Sequence, residues 1–239
     1  MTLIKDYLVN LKKILTHNQE IDSYIELRKK DYYDYIYNFF KNKKISSVMD
    51  VGGATGDFAY FGPENINFFS TDISNELIKI AKKTRSKKNI KFVVDDILKT
   101  SVNGKFDAVL MLGILSTFSN LNIVLKKICN LSRKYVLIQS AINTYEFDSL
   151  ISHKKSSEPI ENYQNSFNIY SLKSLKNELL INKFKVVNVE KFKMENILKK
   201  VDSPERLTNF HVDINGEKSL INQLGLILDE YIIIAERIL

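Results

Sequence analysis

The sequence is poor in the residues from which covalent and metal-based sites are usually made. Of 239 residues, one is cysteine and three are histidine. A single thiol, Cys129, rules out an intrachain disulfide and leaves nothing for a cysteine-based zinc site. In Val124-Leu125-Lys126-Lys127-Ile128-Cys129 it follows a helical apolar pattern, which suits packing better than nucleophilic attack. No metal site is expected. Long apolar runs are also missing. Tyr231-Ile232-Ile233-Ile234-Ala235 falls far short of the roughly 20 residues a membrane helix needs. Met1-Thr2-Leu3-Ile4-Lys5-Asp6 lacks the basic segment, apolar core and cleavage site of a secretory leader, so a cytoplasmic protein is expected. Nor does any dense arginine stripe with interleaved aromatics accompany the net charge of +7 and pI of about 9.2. The lysines are spread along the whole chain. That charge permits an anionic or nucleic-acid partner without requiring one.

What is present is an ordinary globular composition, 44% hydrophobic and 26% charged, enough for one large domain or a domain with a modest cap. Glycine is scarce, and three of the eight fall together at Gly52, Gly53 and Gly56. They follow Val48-Met49-Asp50-Val51, a short apolar run that suits a strand covered on both faces. Strand, glycine turn and helix are the recipe for a nucleotide-type cofactor lying across the carboxyl end of a parallel sheet. Asp50 narrows the choice. An acid there would repel a dinucleotide's pyrophosphate, which disfavours a nicotinamide dehydrogenase, and it suits a cation such as the α-ammonium of a methionine-derived cofactor.

Further acids stand at the ends of the next two strands. Asn67-Phe68-Phe69-Ser70-Thr71-Asp72 ends about 20 residues beyond the glycine turn, the spacing at which a carboxylate reaches a ribose. Ser74 then caps a helix carrying Leu77, Ile78, Ile80 and Ala81. Ile90-Lys91-Phe92-Val93-Val94-Asp95-Asp96-Ile97 is a third strand ending in acids. Lys105 to Gly113 is a fourth, the most apolar and therefore central, and Tyr135 to Gln139 a fifth.

Asp50, Gly52 and Gly56, with Ala54 in place of a middle glycine, resemble the first motif of class I S-adenosylmethionine-dependent methyltransferases. Thr71-Asp72-Ile73-Ser74-Asn75-Glu76-Leu77 resembles the second. The resemblance covers roughly residues 45–239 and implies an α/β fold, a seven-stranded mostly parallel sheet flanked by helices, with an N-terminal helical cap over 1–44. It places insertions at about 140–168 and 193–218. The implied cofactor is S-adenosyl-L-methionine, with S-adenosyl-L-homocysteine as product. It would be held by Asp50, Gly52, Gly53, Ala54 and Gly56 at the methionine, and by Asp72 and Ile73 at the ribose. Asp96, or its neighbour Asp95, with Ile97 would meet the adenine, and Leu112 and Gly113 would lie beside the donor. Residues 3–41 read as helix, and relatives place such helices as a lid, from which Arg28 could meet the cofactor carboxylate. Ala54 is harmless at negative φ and could narrow the methionine pocket at positive φ.

Ser116-Thr117-Phe118 stand where relatives often carry a histidine, so a general base from that loop is not expected. His153 and His211, in the two insertions, are the candidate catalytic groups, with Tyr145 as a further substrate contact. The expected acceptor is a small molecule, a hydroxyl of a sugar, sugar nucleotide or surface-glycan precursor, and the basic insertions would suit a phosphorylated one. Methylation of RNA is the second reading, and a noncatalytic protein keeping the fold the third. The absence of an Asn-Pro-Pro-Tyr or Asp-Pro-Pro-Tyr segment after the fourth strand argues against a base-amine methyltransferase.

Overall fold

The computed structural model describes residues 29–153, 165–192, 209–222 and 225–238. Its central sheet follows the order β3 (Ile90–Val94), β2 (Asn67–Asp72), β1 (Ser47–Val51), β4 (Phe106–Leu112), β5 (Ser132–Asn143), β11 (Glu230–Arg237), β8 (Phe184–Phe192). The pairs from β3 through β5 are parallel, and β11 runs antiparallel to both β5 and β8. This is the mostly parallel seven-stranded sheet expected, with the last strand in the chain inserted beside the one before it in the sheet.

Alternation along the central strands explains why both faces are covered. Ala108 and Leu110 of β4 enter one apolar cluster, Val109 and Met111 the other. The first cluster is completed by helix α1 (Tyr33–Asn42) and the short helix α2 (Asp57–Phe61). Tyr33 and Tyr37 both pack on the Phe58 ring, and Phe40 is fully buried. The aromatic run Tyr32 to Tyr37 therefore anchors α1 to the sheet. The second cluster takes α4 (Leu121–Leu131) and α5 (Leu172–Ile181). Between β2 and β3 lies α3 (Asn75–Thr84), capped by the Ser74 hydroxyl accepting from the Leu77 N–H at 3.3 Å.

Both insertions hold more structure than their polar sequence suggests. Strand β5 continues past Gln139 to Asn143, where Ile142 and Asn143 pair with Tyr170 and Ser171 of β7 (Asn165–Ser171). Its hairpin partner is β6 (Ser149–His153). The Tyr170 hydroxyl and the Asn168 amide both donate to the Phe118 carbonyl, at 2.6 and 2.8 Å, and tie this hairpin to the loop after β4. In the second insertion β9 (Asn209–Ile214) and β10 (Glu217–Asn222) form a hairpin through Asn215-Gly216. Asn215 and Gly216 both take positive φ, 53° and 84°, as a two-residue loop between twisted strands requires. Among the described residues no helix is long and apolar enough to cross a membrane.

Candidate functional site

Every acid singled out along the first three strands lies at the carboxyl edge of the sheet, where the parallel strands release their loops. Asp50 sits one residue from the end of β1 and is 2% exposed. It shares the face of Val48, which turns it toward α1 and α2. Gly52, at φ 69°, begins the turn, and a Cβ there would lie 2.6 Å from Ile114. Gly53 leaves less room still. A Cβ would fall 2.1 Å from the Ser70 hydroxyl and 2.4 Å from an Asp50 carboxylate oxygen.

Ala54 adopts φ 49°, the left-handed conformation, so the substitution of the middle glycine is strained rather than neutral. Asp72 holds it there. One oxygen of Asp72 accepts from the Ala54 N–H and the other from the Ser74 N–H, each at 2.9 Å. This single carboxylate ties the glycine turn to the start of α3. A buried ion pair supports the same turn from behind. Arg85, 1% exposed, donates to Asp57 at 2.9 Å across the start of α2.

Asp50, Gly52, Gly53, Ala54 and Leu112 line one cleft of about 100 Å³, closed from above by Lys30, Tyr32 and Tyr33. The only hydrogen bond to the Asp50 carboxylate among the described residues is from the Ser70 hydroxyl, at 3.3 Å. Burial therefore pushes its carboxyl up to about 7, against the Ser70 hydrogen bond and with a further push from Asp72. Lys30 exposes much of its surface as a residue, yet its ammonium stands 5.8 Å from the centroid of the buried Tyr32 ring. Dehydration lowers that ammonium's pKa, opposed by Glu230, Asp57 and Asp50 in that order. Burial pushes the Tyr32 and Tyr33 phenols well up, so neither is a base near neutral pH.

Along the same edge, the Asp95 N–H donates to the Asp72 carbonyl at 3.0 Å, and one Asp95 carboxylate oxygen is buried with no partner among the described residues. Asp96 accepts from the Leu98 N–H at 3.0 Å. Ile73 is 72% exposed beside Asp72, whereas Ile97 is 5% exposed and packed in the core. Of the two apolar residues expected near an adenosine, only Ile73 thus offers open surface. Gly113, at φ 81°, donates its N–H to the Gln139 carbonyl at 2.9 Å.

These features fit a ligand with a cation at one end and a flat base at the other. A buried anion faces the cleft, a turn stripped of Cβ atoms lets a ligand approach, and a buried carboxylate oxygen and an exposed isoleucine wait farther along.

His153 ends β6 opposite Asn165, at the end of that ladder away from β5, and its side chain lies outside the described residues, as does Arg28. His211 lines a second cavity of about 320 Å³ between the β9–β10 hairpin and the sheet edge. Burial and then Lys218 lower its pKa, leaving it neutral at pH 7. Tyr145 is exposed and stacks on Phe147 with ring centroids 6.1 Å apart. This second cavity is the larger, although it does not touch the glycine turn. Sequence reasoning passed over Lys30, Gln139 and Glu230. The signal for Glu230 was an acid placed directly before the apolar run of β11.

A family profile described as a methyltransferase domain matches residues 42–202. No curated protein matches the chain. Among solved structures, 1,6-didemethyltoxoflavin-N1-methyltransferase of Burkholderia thailandensis, with S-adenosylhomocysteine bound, is similar at 14% identity and TM-score 0.60, over 97% of this chain and 88% of that one. Magnesium protoporphyrin IX methyltransferase from Synechocystis PCC 6803 is similar at 13% identity and TM-score 0.55, over 86% and 81%. The N-terminal domain of EvdMO1, crystallised in the presence of S-adenosylhomocysteine and D-fucose, follows at 14% identity and TM-score 0.56, over 87% and 84%. With the profile spanning two thirds of its length, the chain belongs to the class I methyltransferases, whose methyl donor is S-adenosyl-L-methionine and whose product is S-adenosyl-L-homocysteine.

Proposed function

We propose that this methyltransferase moves the methyl group to a hydroxyl of a small-molecule acceptor, of the sugar or sugar-nucleotide kind. The observation that carries the cofactor half of the reading is Asp50, a buried acid with one weak partner facing a glycine cleft. An ammonium placed there would recover the electrostatic cost of burying its charge. Asp72 would accept from the ribose hydroxyls with the lone pairs its two backbone amides leave free. Ile73 would cover one face of the adenine, and Asp96, or Asp95 with its unpartnered oxygen, would take the exocyclic amine.

The bound donor supplies an activated methyl on a sulfonium. The chain's own work is to hold the acceptor in line with it, keep water out and take up a proton. The sugar reading is supported by the exposed Tyr145–Phe147 pair, a flat apolar face of the sort on which a sugar ring packs. It is also supported by the EvdMO1 domain, whose structure was obtained with D-fucose. Calorimetric titration with S-adenosylhomocysteine, followed by transfer of radiolabelled methyl into separated small-molecule and RNA fractions of a cell extract, tests both halves. Label in RNA alone would replace the acceptor reading.

A further inference from the structure

Glu230 is the acid in the described structure that the cofactor site does not use and that its local packing does not satisfy. It opens β11, paired across to Ala141 of β5 on one side and Phe192 of β8 on the other. One of its carboxylate oxygens is shielded from water and has no hydrogen-bond partner among the described residues, while Gln139 bonds to the side chain. A natural core avoids an unpartnered buried carboxylate oxygen unless something arrives to use it.

The position of Glu230 matters as much as its missing partner. It lines the larger cavity with His211 and Asp229, and it acts electrostatically on Lys30 and Tyr32, both of which line the cleft of Asp50. The Tyr32 ring meets the Phe192 ring edge to face at 5.5 Å, and Phe192 lines the larger cavity. Cleft and cavity thus share a wall, and Glu230 stands in it.

We infer that Glu230 is the catalytic proton acceptor of this methyltransferase, and that the cavity between the β9–β10 hairpin and the sheet edge holds a methyl acceptor bearing a hydroxyl. The inference rests on the methyltransferase reading above. In the step, the acceptor oxygen forms its bond to the methyl carbon, and the carbon–sulfur bond breaks with its electron pair left on sulfur. The hydroxyl proton passes to the unpartnered Glu230 oxygen and then to water.

The charged surroundings make such a base workable. Burial raises the Glu230 pKa, opposed by the Gln139 hydrogen bond and Lys30. From β8, Lys191, which is held by Asp229 at 2.8 Å, lines the same cavity. From the hairpin come His211, Glu217 and Lys218. Tyr32 closes the α1 side. A carboxylate so placed is ionised only as the pH rises through its elevated value, so transfer should rise with pH over that range.

The test compares wild type with Glu230→Gln and Glu230→Asp. Binding of S-adenosylhomocysteine is measured by calorimetry, and transfer from saturating methyl-labelled S-adenosylmethionine into a size-filtered small-molecule cell extract is followed from about pH 4.5 upward to about pH 9. The expected result for Glu230→Gln is affinity for S-adenosylhomocysteine within about twofold of wild type, transfer slowed roughly 100-fold or more, and loss of the rise with pH. Glu230→Asp should recover part of the rate and keep a rise. Transfer by Glu230→Gln within a few-fold of wild type, with the same pH profile, overturns the inference. So does an affinity that falls by as much as the rate, because the residue is then structural. A wild type that binds S-adenosylhomocysteine yet labels no small molecule overturns the acceptor reading itself, and this inference with it.

Discussion

Asp107 and Asp50 stand on neighbouring strands of one sheet and have opposite fates. Asp107 lies at the amino edge, the second residue of β4, and its carboxylate is saturated. One oxygen accepts from the Ser46 N–H at 3.0 Å and the Ser46 hydroxyl at 2.7 Å, while the other faces Lys134 at 3.2 Å and Arg133 at 3.6 Å. Burial alone would raise its pKa, but Ser46 and then Lys134 more than reverse this and take it down to about 2. Asp50, at the carboxyl edge, has one hydroxyl at 3.3 Å and is pushed up to about 7. Both are buried acids in the same sheet. The amino edge completes its acid within the protein and gains stability. The carboxyl edge leaves its acid unfinished, as a site that expects a ligand must.

The comparison is broken most directly at Asp72→Ala. Because Asp72 holds both the Ala54 and Ser74 amides, its loss should free the glycine turn as well as remove the ribose acceptor. Affinity for S-adenosylhomocysteine should fall roughly 100-fold or more by calorimetry, about 3 kcal/mol. Unchanged affinity would remove Asp72 from the site.

Asp50→Asn should come next, with affinity lowered roughly 10- to 50-fold at pH 8. In wild type the Asp50 charge that an ammonium needs is fully present only above about pH 7, so binding should tighten up to about tenfold from pH 6 to pH 8. The variant should lose that slope. The stability of the ligand-free protein moves the other way. A carboxyl whose folded value is raised binds more protons folded than unfolded, so stability falls as pH rises from about 4 to 7. Asp50→Asn should flatten this in pH-dependent melting curves.

Asp107→Asn sharpens the contrast. Its folded value is depressed, so its stabilisation is present above about pH 4 and lost as pH falls through about 2. The substitution should cost about 2 kcal/mol by chemical denaturation at pH 7, with affinity for S-adenosylhomocysteine unchanged. A loss of affinity would mean that the two edges are not separable.

The smallest effect is expected at Ala54→Gly. Relief of the positive φ should stabilise the protein by about 0.5–1 kcal/mol, partly offset by the entropy of a freer unfolded chain. Destabilisation would show that the entropy of the freer unfolded chain outweighs the strain relieved.

Much of the site was legible because it repeats. Asp50, Asp72 and Asp95-Asp96 each close an apolar strand, and chain order alone sends parallel strand ends to one edge of a sheet. Ser74 was readable as a cap for the same local reason. The Asn215-Gly216 turn was equally local, with Phe210, Val212 and Ile214 alternating before it, but the polar flanks hid the hairpin. By contrast, Ala54 at positive φ could not have been read from its neighbours. An alanine settles there because Asp72, 18 positions later, accepts its N–H.

The sequence by itself determined the order of the first five strands of the central sheet, the glycine turn and the three acidic strand ends. Those depend on periodicity and on side-chain chemistry within a few residues. Tertiary structure alone decided which buried acids are satisfied and which are left open, that Lys30 approaches Asp50 and Glu230, and that Glu230 stands between two cavities. A carboxylate's charge state is set by the water removed around it and the donors brought to it. Those donors come from segments up to 200 residues apart, as with Lys30 and Glu230.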